Sequence, residues 1–538
     1  MRRARPLLAL LLLACDGPAA VDAGASDAGD DAGPPPPPPM VTTANGPVTG
    51  TLGDGYREFL GIPFAAPPVG DLRWRPPEPP ASWTEPRASN RPRRCVQDAL
   101  GLPLASGEDC LYLNVHTPDP MPDHAPVMVW IHGGAFLFGE GVQTDEGTRG
   151  DLLARQGVVV VSMNYRLGPY GFLAHPDLTT EQGASGNYGL MDQRMALEWV
   201  RDNIAAFGGD PDDVTLFGQS AGGLSVCLHM TAPSSRGLFH RAIVQSGLCE
   251  SGLDDLATSE ANGLGFATRL GCDGPDALGC LRGKTTDEID AVDTSGMGIV
   301  AELSGTRTWW AIRDGAFLTQ DVRDAVLAGD VMDIPMVVGW NRDEGTFFTF
   351  LADTTEETLD EPTYRAIVDA IAELQGVTAA DVLAAYPIAD YPDPSYATAA
   401  LYGHATIACP SRRAARLFAE HLASDVFVYR YDYPDGEFQI PTDRELGAFH
   451  ASEIQFVFGH PAPIGRRAFT SADDLAMNAR LSGDWLRFAR ASDPNGEAPT
   501  WAPYDVAEDR ELVYDRVVTT ATGLDEDACA LWDAARAP

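Results

Sequence analysis

Lysine is nearly absent from this chain: Lys284 is the only one in 538 residues, and every other basic side chain is arginine. The bias is compositional and says little about function. Positive charge as a whole is scarce, with 38 basic against 77 acidic residues and a formal net charge of −39. Such a field repels a phosphate backbone, so nucleic acid is excluded as a partner. It also favours solubility and disfavours anionic substrates at long range, up to the ~10 Å beyond which salt screens charge. No C-x-x-C spacing occurs, which removes the usual zinc frameworks, and neither a metal nor a cofactor is expected. After the N-terminus no apolar run approaches the ~20 residues of a membrane helix. From about residue 41 onward there is also no Pro/Gly/Ser-rich break and no internal repeat. Residues 41–538 therefore read as one large domain, and nothing in them sets an oligomeric state.

The N-terminus is built differently. Arg2, Arg3 and Arg5 precede an apolar run from Leu7 to Ala14, the layout of a signal peptide over residues 1–15. Its end, Leu12-Leu13-Ala14-Cys15, resembles the bacterial lipobox, in which the cysteine becomes the acylated first residue of an envelope lipoprotein. Ordinary secretion with Cys15 removed is the alternative, and Leu13 is a less usual residue at its place. Residues 16–40, rich in Asp, Ala and Gly and then in six prolines (Pro34 to Pro39), cannot bury apolar surface and read as a solvated tether. A lipid on Cys15 would be the only membrane contact. Export makes disulfides the expectation for the eight remaining cysteines, with local loops at Cys95/Cys110 and Cys272/Cys280.

Apolar β-branched runs at Val127 to His132, Val158 to Asn164, Val214 to Phe217, Ala242 to Gln245, Met336 to Gly339 and Val426 to Tyr431 predict buried strands. Amphipathic stretches from Gly189 to Asn203 and Ala221 to Met230 predict helices between them, hence a mostly parallel sheet covered on both faces. Gly46 to Leu60 reads as a meander, with turns at Asn45-Gly46 and Gly53-Asp54-Gly55. Residues 250–400 read as a helical, loop-rich cap.

A serine hydroxyl attacks a carbonyl only when a base takes its proton and donors receive the oxyanion. Gly218-Gln219-Ser220-Ala221-Gly222 is weak as a pattern. It gains weight from a strand that stops at Gly218 and a helix that starts at Ala221, the strand–turn–helix that exposes a nucleophile. His132-Gly133-Gly134-Ala135, at another strand end, is built of small residues that let backbone N–H groups face a reacting carbonyl. Gly134, Ala135 and Ala221 are the candidate oxyanion donors. The base is one of ten histidines and the acid one of 77 carboxylates, and spacing does not choose among them.

Taken with their neighbours, these residues resemble the type-B carboxylesterase/lipase family, which includes cholinesterases and bacterial p-nitrobenzyl esterases. The ordered blocks are Gly61-Ile62-Pro63-Phe64-Ala65, Glu108-Asp109-Cys110-Leu111-Tyr112-Leu113-Asn114, Asn164-Tyr165-Arg166-Leu167-Gly168, Gly186 to Gln193, Phe207-Gly208-Gly209-Asp210-Pro211 and Gln219-Ser220-Ala221-Gly222-Gly223. The resemblance implies an α/β-hydrolase fold and hydrolysis of carboxylic esters through an acyl-enzyme. It implies Ser220 as nucleophile, His450 as base and Glu344 as acid, with Asp343 as the competing acid. Ser246 would support them from behind, and Arg73/Glu108 and Arg166/Asp192 would be structural ion pairs. It pairs Cys95 with Cys110, Cys272 with Cys280 and Cys409 with Cys529, leaving Cys227 and Cys249 open as a fourth bridge. Two departures bear on substrate. No aromatic lies between Cys95 and Cys110 to hold a quaternary ammonium, and Gln219 stands where the family usually has Glu. Both favour uncharged, small to medium esters. An interfacial lipase and a non-catalytic cholinesterase-like binding module are the competing readings.

Overall fold

The structure is a computed structural model and describes residues 37–97, 105–141, 147–293, 308–354, 359–434, 445–460, 469 and 471–535. The expected signal peptide, Cys15 and most of the tether lie outside the described residues.

Among these, sixteen strands follow one another: β1 (Met40–Thr43), β2 (Gly46–Thr49), β3 (Thr51–Leu52), β4 (Tyr56–Pro63), β5 (Arg87–Ala88), β6 (Tyr112–Pro118), β7 (Ala125–Ile131) and β8 (Val159–Met163) come first. Then come β9 (Gly209–Gln219), β10 (Arg241–Gln245), β11 (Asp254–Asp255), β12 (Ile312–Arg313), β13 (Met336–Asn341), β14 (Val426–Tyr431), β15 (Arg510–Tyr514) and β16 (Thr519–Thr522). Eleven of them form one sheet in the order β16-β15-β14-β13-β10-β9-β7-β8-β6-β4-β3. The seven from β8 to β15 run parallel and are flanked by antiparallel edges.

Continuous apolar strands suit a sheet buried on both faces, and the side chains alternate accordingly. In β7, Val127, Val129 and Ile131 join one core layer while Met128 and Trp130 join the other. The first layer is closed by the helices Tyr188–Asn203, Ala221–Thr231 and Cys409–His421, the second by Ala472–Ala491 through Leu481, Trp485 and Phe488. No helix among the described residues is long and apolar enough to cross a membrane.

Strand positions follow the sequence reading closely in β7, β8, β10, β13 and β14 and depart from it in β9 and at the β3–β6 edge. β9 begins at Gly209, five residues before Val214, and runs on to Gln219, one past Gly218. The expected meander is split, since β1 and β2 join β5 in a separate three-stranded sheet while β3 and β4 edge the large one. β6 had no apolar signature because Asn114, His116 and Thr117 interrupt it. All three are nonetheless buried, and Asn114 Oδ1 accepts the Gly61 N–H, 2.9 Å away, where β4 bulges between Phe59 and Ile62. The segment 250–400 is largely helical, with β13 passing through it into the central sheet.

Register positions the site. Ile131 lies opposite Gly218, Gln219 opposite Gln245, and Gln245 opposite Gly339, so four adjacent strands end side by side. The loops leaving them carry His132 to Ala135, Ser220, Ser246 and Glu344. Carboxyl ends of parallel strands are where such sheets bind ligands.

Candidate active site

Ser220 stands between β9 and its helix at φ 58°, ψ −123°, a conformation that a non-glycine residue adopts only when its surroundings impose it. Its N–H donates to Gln245 O at 2.8 Å and its carbonyl accepts the Leu224 N–H at 2.8 Å. The turn can be this tight because Gly222 has no side chain: a Cβ there would lie 2.1 Å from the Ile131 carbonyl oxygen. The glycine loop after β7 presses on the same point. A Cβ on Gly133 would lie 3.0 Å from Ser220 Cβ and 2.8 Å from the Gln219 carbonyl oxygen. Gly134 (φ 102°) and Ala135 (φ 55°) turn the chain sharply there. Among the described residues the structure records no acceptor for the N–H groups of Gly134, Ala135 and Ala221.

His132, in the same loop, is a structural residue. Its Nδ1 is 2.8 Å from Gly133 O, its ring stacks on Tyr165 at 4.3 Å, and burial pulls it down to about 4. His229 is similarly fixed between Ser235 and Gln193 and lowered by burial to about 3. Both are neutral at pH 7.

His450 meets Glu344 directly, its Nδ1 2.5 Å from Glu344 Oε2. Glu344 Oε1 accepts Ser246 Oγ–H at 2.6 Å and the Asn341 backbone N–H at 2.7 Å, so three donors converge on a carboxylate that is 1% exposed. Asp343 is turned elsewhere: its Oδ2 accepts the Ala448 N–H at 2.9 Å and pairs with Arg342 at 2.7 Å. The other ring nitrogen, His450 Nε2, lies 3.1 Å from Gln219 Nε2. Ser220 Oγ has no hydrogen-bond partner recorded among the described residues, so in this state the imidazole contacts the residue before the serine rather than the serine itself.

Residues that the sequence reading did not single out complete the setting. Glu453 is fully buried three positions after His450 and accepts from Asn341 Nδ2 at 2.7 Å and Gln245 Nε2 at 2.9 Å. Burial holds its carboxyl above the usual range, the Asn341 hydrogen bond opposes this, and the Glu344 charge adds to it. Asn341 Nδ2 also donates to Phe449 O at 2.7 Å, which ties the end of β13 to the His450 loop. The Phe348 ring lies 5.1 Å from the imidazole and 4.9 Å from Tyr402, making an apolar wall beside His450. Apolar periodicity in Thr346–Thr354 carries no sign that Phe348, which packs on the core around Tyr402, also stands beside an imidazole.

Four disulfides are formed: Cys95–Cys110, Cys227–Cys249, Cys272–Cys280 and Cys409–Cys529. The second joins the helix behind Ser220 to the segment after β10, bracing the turn. Arg73 pairs with Glu108 at 2.6 Å and Arg166 with Asp192 at 2.7 Å. Among the described residues no group of three His, Cys, Asp or Glu is placed to hold a metal ion.

A serine-bearing turn between a central parallel strand and the helix behind it, in a sheet covered on both faces, defines an α/β-hydrolase. The carboxylesterase family model matches residues 37–532, and the chain belongs to the carboxylesterase family. It is 37% identical over 482 residues to a fumonisin B1 esterase of Sphingopyxis macrogoltabida, covering 86% of this chain and 84% of that one. It is 35% identical over 492 residues to a para-nitrobenzyl esterase of Bacillus subtilis, covering 89% and 95%. A solved PNB esterase superposes with a TM-score of 0.77 at 31% identity, over 92% of this chain and 99% of that one. The protein is accordingly a carboxylic ester hydrolase.

Proposed function

We propose that ester hydrolysis proceeds through an acyl-enzyme on Ser220, with His450 as general base and Glu344 as its supporting acid. The observation that carries this reading is His450 itself, whose Nδ1 is committed to buried Glu344 at 2.5 Å while Nε2 faces the serine turn. The Glu344 contact fixes the tautomer with hydrogen on Nδ1 and leaves the Nε2 lone pair as the proton acceptor.

In the first half-reaction the Ser220 Oγ–H bond breaks, the proton goes to His450 Nε2, and Oγ bonds to the ester carbonyl carbon. The oxyanion is received by the N–H groups of Gly134, Ala135 and Ala221. Collapse breaks the bond to the alkoxy oxygen, which leaves as the alcohol with the proton from His450. Water then repeats the sequence and releases the acid. Apo enzymes commonly hold such contacts loosely and tighten them with substrate, which is how we read the absent Ser220–His450 hydrogen bond.

The substrates are uncharged esters with small to medium acyl groups. Supporting this are the neutral Gln219 beside the base and the aromatic-free loop from Cys95 to Cys110, which offers no ring to a quaternary ammonium. Residues 1–15 direct export, Cys15 carries a lipid, and 16–40 tether the catalytic domain, 41–538, off the envelope membrane.

Hydrolysis of p-nitrophenyl acetate, butyrate and palmitate, with and without an emulsified interface, tests the substrate range. Butyrate is expected to exceed palmitate without interfacial activation. Ser220→Ala is expected to abolish all three, and a variant that still turns over would refute the nucleophile.

A further inference from the structure

Gln219 precedes the serine, yet its side chain is directed at the base. The amide is 3% exposed, and its two ends have different neighbours. Nε2 lies 3.1 Å from His450 Nε2, while Oε1 points at the glycine loop, 3.0 Å from where a Cβ on Gly133 would stand. The His450 Nδ1 hydrogen is already committed to Glu344 Oε2. Nε2 of the neutral ring therefore carries a lone pair, and a hydrogen bond to it requires a donor. The amide NH₂ supplies one.

We propose that Gln219 is a positioning residue for the base: its amide caps the His450 Nε2 lone pair in the substrate-free enzyme, holding the ring neutral and aimed at the serine turn. This rests on the assignment of His450 made above and deepens it. A carboxylate of the same length has only acceptors, and would meet the lone pair unfavourably unless a second proton came to the ring. Gln219 thus favours the form of His450 that can accept a proton. As Ser220 transfers its proton, the amide contact is given up in favour of the Oγ contact, and it is restored when the alcohol takes the proton away.

The other groups facing the imidazole do not duplicate this role. Glu344 occupies Nδ1, and Phe348 offers only a ring face. Glu453 is engaged by Asn341 and Gln245, and Asp343 by Arg342 and the Ala448 N–H. Position 219 is the one among these that touches the nitrogen used in catalysis.

The experiment is the pH dependence of kcat/KM on p-nitrophenyl butyrate, which does not itself titrate, for the full-length enzyme and for Gln219→Glu and Gln219→Met. An anion within contact distance of a histidine raises its titration by about 1–3 pH units, so the acid limb of Gln219→Glu is expected to move up by one to two units. Its plateau is expected to stay within about tenfold of the parent. Gln219→Met, which loses the donor and adds no charge, is expected to move the limb in the same direction by less than one unit. An acid limb in Gln219→Glu within 0.2 units of the parent, in an active enzyme, overturns the proposal. Loss of fluorophosphonate labelling of Ser220 in both variants, with circular dichroism and Tm unchanged, overturns it too, because a positioning residue adjusts the base without supplying the nucleophile. His450→Ala separates the two levels. If it keeps the parental profile, the assignment of the base fails and takes this inference with it. If it is inactive while the Gln219→Glu limb stays put, only the role of Gln219 fails.

Discussion

Glu511 offers a stability test that does not involve the active site. It lies in β15, is 1% exposed, and neither carboxylate oxygen has a hydrogen-bond partner recorded among the described residues. Burial pushes its carboxyl from 4.5 to about 8, the Asp509 charge adds to this, and Arg412 opposes it. The fold therefore binds a proton that the unfolded chain has already lost, and stability falls as pH rises from 4.5 until it levels off above about 8. At about 1.4 kcal/mol per pH unit, the cost is about 3 kcal/mol at pH 7 and approaches about 5 kcal/mol above pH 8. The substitution Glu511→Gln puts an amide that does not titrate in its place and removes this dependence. A chain of this size has an unfolding entropy that makes 1 kcal/mol worth about 1 °C in Tm. The variant is thus expected to gain about 3–5 °C on the parent between pH 5 and pH 8.5, in calorimetric scans at one scan rate. A constant offset between the two proteins is permitted, since a buried amide has its own pH-independent cost of about 1–3 kcal/mol. A gap that stays level within about 0.5 °C across that range would refute the reasoning.

On the proposed mechanism Ser220→Ala and His450→Ala are each expected to lose about 10⁶-fold in kcat, and the double variant little more, as for two residues that act as a unit. Additive losses in single-turnover kinetics would show that they do not. Replacing Cys409 and Cys529 together by Ser opens a link between residues 120 apart, worth about 5 kcal/mol on the loop-entropy account. A Tm drop of about 5 °C measures it, and an unchanged Tm contradicts it. Cys15→Ser is expected to release the protein from the membrane fraction into the soluble one on cell fractionation, and continued membrane retention would rule out the lipid anchor.

How legible the site was depends on what each part demands of residue type. The serine turn needs a positive φ at Ser220 and no Cβ at Gly222, where one would sit 2.1 Å from Ile131 O. Those demands restrict the amino acids at adjacent positions, so the motif is visible in the string. The glycine loop is visible for the same reason. A general base demands only an imidazole at the right point in space. His450 reaches that point because β13 and its loop carry Glu344 to it, and because Asn341 ties Phe449 down from 108 residues away. Nothing in the spacing of ten histidines encodes this, and only resemblance to a family selected His450. Glu453 was invisible on the same grounds: its partners Gln245 and Asn341 are 208 and 112 residues distant, and buried carboxylates look like surface ones in sequence. β6 was hidden by the reverse effect, polar residues in a buried strand: Asn114 accepts the Gly61 N–H, Thr117 donates to Phe207 O, and His116 lies 3.6 Å from Glu58.

Gln219 sits between these cases. Its lack of charge was plain from the residue name, and with the aromatic-free loop from Cys95 to Cys110 it suggested uncharged substrates. The side chain's direction was not, because a residue at the end of β9 has two faces available. The register of Gln219 opposite Gln245 places the strand end beside the loops that hold His450, and the amide lands on Nε2. A substitution that sequence reads as a change in substrate electrostatics thus becomes, in the fold, a change at the base itself. The two readings make different demands on Gln219→Glu. The first calls for altered preference between charged and neutral esters at constant pH profile, and the second for a displaced profile on a neutral ester.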